Sequence, residues 1–68
     1  MARFKFCLIG SPQRPVLELD ASDVAELHQR LACARYIEGR MIEIDGEATA
    51  CDVLIPANRI QMIFRWHE

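Results

Sequence analysis

Sixty-eight residues, 51% of them hydrophobic, with a net charge of −2, exclude several classes at once. The apolar content is too high for a disordered chain, no run approaches the roughly 20 apolar residues of a membrane span, and the acidic balance is not that of a dedicated nucleic-acid binder. One domain over residues 1–68 is expected, and a domain of this size buries only roughly 60% of its unfolded surface, so a disulfide, a metal or an oligomer interface is needed as a staple.

Arg3 to Ile9 alternates, with Phe4, Phe6 and Leu8 on one side and Lys5 and Cys7 on the other, the period-two pattern of a strand. Gly10-Ser11-Pro12 ends it, the loop runs on to Pro15, and the apolar segment Val16 to Leu19 is placed to pair back with the first strand.

A helix follows. Asp20 is the expected N-cap, with Leu19 and Val24 at the spacing of a hydrophobic staple and Asp23 in the first turn, where the helix dipole favours negative charge. Val24, Leu27, Leu31 and Ala34 fall on one stripe at helical period. Glu26 and Arg30 stand four apart in the favourable order for a helical ion pair.

Asp45-Gly46 predicts a two-residue hairpin turn with positive φ. Uninterrupted pairing from that turn sets Ile44 against Glu47 and Tyr36 against Ile55. One face then carries Tyr36, Ile42, Ile44, Thr49, Cys51, Val53 and Ile55, and the other Ile37, Met41, Ala48, Ala50 and Leu54, interrupted by Glu43 and Asp52. Pro56-Ala57-Asn58 breaks the chain, in a tight turn or one turn of 3₁₀ helix. A last strand, Ile60 to Trp66, puts Ile60, Met62, Phe64 and Trp66 on one face and Gln61, Ile63, Arg65 and His67 on the other.

The expected fold is therefore α+β: one helix on a four- to five-stranded, mainly antiparallel sheet, in the order β-β-α-β-β-β. A helix of about fifteen residues is roughly 22 Å long and 10 Å wide, and four strands about 4.8 Å apart span close to 20 Å. The helix shelters one face only. Ile37, Met41 and Leu54, with either Ile63 or the row Met62-Phe64-Trp66, are left in water unless a second copy of the chain covers them. Closing the sheet into a small barrel is the alternative solution.

Candidate chemistry is sparse. Cys7, Cys33 and Cys51 are an odd number at wide spacing, whereas a disulfide framework favours an even count and an export signal. The run Phe6-Cys7-Leu8-Ile9 is too short for the apolar core of a signal peptide, so a reduced, cytoplasmic protein is expected. With His28 and His67, the cysteines show no pair at metal-ligand spacing. Cys33 lies at the C-terminal end of the helix, where the dipole disfavours a thiolate. Glu43, Asp45, Glu47 and Asp52 surround the hairpin as a solvated rim, and the loop after Gly10 lacks a phosphate-cradling pattern. No catalytic residue, metal or cofactor is assigned.

The leading expectation is a non-catalytic assembly module that self-associates through its sheet, as a dimer or larger homo-oligomer, or that receives another protein there, with no membrane role. Its contact residues are Ile37, Met41, Leu54, Ile63 and Trp66, with Arg40 and Arg65 at the rim. The alternative is an RNA- or DNA-binding small barrel, similar to the Sm-like proteins in architecture only, using Arg3, Lys5, Arg59 and Arg65.

Overall fold

Alternation, turn residues and helical period produce the elements they predict. The computed structural model describes residues 2–67. It runs β1 (Ala2–Leu8), β2 (Pro15–Leu19), α1 (Val24–Cys33), β3 (Tyr36–Ile44), β4 (Glu47–Pro56), a 3₁₀ turn (Ala57–Arg59) and β5 (Ile60–Arg65). The strands form one antiparallel sheet in the spatial order β4-β3-β2-β1-β5. It is an open sheet rather than a closed barrel, with β4 and β5 as its two edges. The hairpin turn has the positive φ that Asp-Gly supplies, 52° at Asp45 and 82° at Gly46. The 3₁₀ turn is tied to the end of the helix by a 2.7 Å bond from the Ala57 amide to the Arg35 carbonyl.

The core lies between the helix and the inner face of the sheet. Phe4 and Phe6 of β1, Leu17 of β2 and Leu27 of α1 are fully buried there, joined by Leu19, Ile37 and Ile55. Each such side chain contributes about 1.5–3 kcal/mol by leaving water. Leu8, Leu31, Met41, Val53, Ile60 and Ile63 pack against this cluster half-buried.

The helix begins later than its stripe suggests. Its N-cap is Asp23, not Asp20: the Glu26 amide donates to Asp23 Oδ1 at 2.9 Å, and Glu26 Oε2 accepts from the Ser22 amide at 2.9 Å. Asp23 and Glu26 stand at capping-box spacing, so the acid three residues on fixes the start. Glu26 is thus used locally, and Arg30 instead donates to the Asp20 carbonyl. Val24, now the first helical residue, is 43% exposed, and the burial falls on Leu27 and Leu31.

The sheet register corrects the expected faces. Ile44 does pair with Glu47 and Glu43 with Ala48, but the ladder slips before Met41 pairs with Cys51. Tyr36 therefore faces Pro56, and Ile37 faces Ile55. Against β2 the same point is irregular, since Val16 pairs with Glu43 and Leu17 with Met41, which leaves Ile42 as the extra residue. Strand side chains alternate with period two, so one extra residue reverses every side chain beyond it. Ile37 and Met41 turn inward, and Tyr36, Glu38 and Arg40 turn outward. The first half of β3 is amphipathic rather than apolar on both sides. A second slip, between Cys7 and Leu8, pairs Leu8 with Ile60 and brings Ile60 inward, away from the row it shares by simple alternation with Met62 and Phe64.

Candidate self-association surface

Cross-strand pairing defines the outer face, because directly opposed residues share a side of the sheet. Phe64 pairs with Lys5, which pairs with Val16, and Met62 pairs with Cys7. Arg3, Glu18, Arg40 and Asp52 succeed one another across β1, β2, β3 and β4. The signs alternate along that row, and Arg3 Nε meets Glu18 Oε2 at 3.4 Å. That row reaches solvent and is laced by charge, while beside it on the same face Val16 and Cys7 are buried, the Cys7 thiol contacted by the Arg14 guanidinium at 2.6 Å.

Apolar surface remains at the two sides. On β5, Met62 is 54% and Phe64 37% exposed. Trp66 packs edge-on against Phe64, with centroids 6.5 Å apart, and the Lys5 ammonium sits 4.2 Å from the Trp66 ring centroid. A cation over an indole face is attracted by the ring quadrupole, and here it holds Trp66 down on the sheet. On β4, Leu54 is 60% exposed.

Of the residues assigned to an interface from sequence, the structure brings Leu54, Trp66 and Arg40 to the outer face. Ile37 is buried in the core, and Met41 and Ile63 pack half-buried against it. Arg65 is on the helix side, its guanidinium 5.7 Å from the Phe4 ring centroid and donating to the Ser22 carbonyl at 2.7 Å. Besides Tyr36 of β3, the exposed residues Met62 and Phe64 of β5 are missing from the sequence-based set. The alternation along β5 contains the signal for both.

The edges are the other exposed feature. Among the described residues, neither β4 nor β5 pairs on its outer side. β4 carries Glu47 and Asp52 and no basic residue, whereas β5 carries Arg65, follows directly on Arg59 and has no acidic residue.

The basic residues of the nucleic-acid reading do not form one surface. Arg3 and Lys5 share the outer face with their acidic neighbour Glu18, Arg65 lies across the sheet, and Arg59 is in the 3₁₀ turn. Among the described residues, no group of three side chains is placed to hold a metal ion, and no helix is long and apolar enough to cross a membrane. No protein-family model, curated protein or solved structure matches this chain.

Proposed function

We propose that this chain is a non-catalytic assembly module whose copies join through their sheets, edge to edge, in the reduced cytoplasm that three unpaired cysteines suit. The observation that carries the reading is the pair of open edges with opposite charge. An unprotected edge strand offers a row of backbone donors and acceptors to another chain. Pairing β4 with β4 sets acid against acid, and pairing β5 with β5 sets base against base. Pairing β4 of one copy with β5 of the next is the complementary choice.

Side chains favour the same match. On the outer face Leu54 meets the row Met62-Phe64-Trp66, and on the inner face Ile63 extends the line of Val53 and Ile55. Arg40, on β3, stands back from the joint, while Arg65, and Arg59 just before β5, supply the positive charge that Glu47 and Asp52 of the next copy meet. A contact between two different surfaces of the same chain propagates head to tail, so it closes a ring or runs on as a filament.

Light scattering across a dilution series tests this. A mass that rises with concentration is expected, and Leu54→Lys or Phe64→Lys should each lower it while leaving the circular dichroism spectrum unchanged. A chain that stays a folded monomer at high concentration overturns the proposal.

A further inference from the structure

The helix covers only part of the inner face. Beyond its reach, under the loop that joins β1 to β2, the sheet holds a cavity of about 180 Å³ lined by Leu8, Pro15, Met41, Ile44, Val53 and Ile55, with Ser11 and Gln13 also on its wall. We propose that this cavity is a binding site for a small neutral apolar molecule, an aromatic ring or short alkyl chain of about six to eight non-hydrogen atoms.

The occupant follows from lining and size. No charged side chain contributes to the wall, so an ion entering it would shed water without gaining a partner, which is strongly unfavourable. The hollow opens to solvent beside Gln13, and water inside it finds few of the two to four polar partners that hold an ordered water, so an apolar occupant displaces poorly held water. Gln13 and Ser11 are the polar residues of the wall. The Ser11 hydroxyl already accepts the Gln13 amide at 3.2 Å, which leaves the Gln13 carboxamide for one polar group on the ligand. The other hollows are different in kind. Those beside the helix are flanked by His28 and Gln61, or by Arg30 and Glu38, and open between polar side chains.

A ligand this small makes few contacts and so has limited binding energy. A dissociation constant from tens of micromolar to millimolar is therefore expected. Benzene and 1-hexanol, titrated separately into the full chain and followed by methyl-resolved NMR, provide the test. Saturable shifts confined to Leu8, Met41, Ile44, Val53 and Ile55 are expected for at least one probe, and Val53→Phe, which fills the space, should abolish them in a protein that keeps its other methyl signals. Should Val53→Phe fail to fold, Met41→Phe fills the same cavity from β3 and serves as the second variant.

Shifts that fail to saturate, or that centre on Met62 and Trp66, overturn the proposal. So do Leu8 and Met41 signals, on β1 and β3 away from the β4 edge, that move on simple dilution without any probe, because the occupant is then another copy of the chain; dilution shifts confined to Val53 and Ile55 belong to edge pairing. The edge-to-edge reading stands or falls separately, on mass.

Discussion

Ile37 lies directly opposite Ile55 across β3 and β4, and each is 6% exposed. The slip at Ile42 puts the two isoleucines together under the helix, while Leu54 and Tyr36, their neighbours in sequence, face outward. Truncating Ile37 should leave a cavity in the core, at a cost of about 2–5 kcal/mol. Leu54→Ala removes a side chain already in water and should stay within about 0.5 kcal/mol. Urea midpoints at low protein concentration separate the two, and equal losses would contradict the register.

Gly39 of β3 lies against the side chains of Leu17 and Leu19 of β2. A Cβ added there would overlap Leu19 Cδ2 and stand 3.0 Å from Leu17 Cδ2, and both leucines are buried. Gly39→Ala should therefore destabilise by about 1–3 kcal/mol through overpacking. Gly46→Ala meets nothing within 4 Å but keeps a φ of 82°, so its cost is about 1–2 kcal/mol and comes from the backbone alone. Thermal unfolding of Gly39→Ala and Gly46→Ala, each alone and each combined with Leu19→Ala, distinguishes the mechanisms. The smaller leucine replacement should relieve Gly39→Ala and leave Gly46→Ala unchanged.

These two glycines also mark how far the residues spoke for the structure. Asp45-Gly46, the proline after Ile55 and the alternation from Phe4 to Phe6 each follow from local chemistry, and each predicted its turn or strand. Which residues share a face across β3 does not, because it depends on one extra residue at Ile42, and no propensity distinguishes a bulged isoleucine from a paired one. The helix start is read from sequence at Asp20, three residues before the Asp23 cap that the structure shows. Strand order was hidden altogether, since both edges are defined only once β5 returns beside β1. The outer face is consequently more polar than β3 and β4 suggest on paper, and its apolar part is concentrated on β5.

Capping offers a direct comparison. Asp23 accepts the Glu26 amide, whereas the contact made by Asp20 uses its main-chain carbonyl. Asp23→Ala should cost about 1 kcal/mol, and Asp20→Ala much less, because its carbonyl is kept. Chemical denaturation of the two variants, side by side, checks this. A larger loss at Asp20 would return the helix start to the position its stripe suggests.

Polyanion affinity should be low. Arg3 is engaged by Glu18, Lys5 by the Trp66 ring, and Arg65 by the Ser22 carbonyl on the opposite side of the sheet. With its cations divided, the chain should elute from heparin at low salt, and Lys5→Ala should change that elution little. Each phosphate contact adds to the salt dependence of binding, so retention into several hundred millimolar salt would revive the nucleic-acid reading.

Deleting Ile42 tests the register most directly. Against β2 it is the residue to spare, because Val16 pairs with Glu43 and Leu17 with Met41. Without it those pairs become consecutive, and regular alternation from Ile44 back to Tyr36 keeps Ile44, Met41 and Ile37 inward and Glu43, Arg40 and Glu38 outward. The cost falls on β4, where Thr49 and Ala50 then stand between Ala48 and Cys51 with no residue opposite them. The deletion should therefore keep cooperative unfolding, with a loss of about 1–3 kcal/mol in a urea titration. Amide exchange gives the finer answer: if Ile37 and Ile55 lose their protection in a variant that still folds, the extra residue is not what sets the faces of β3.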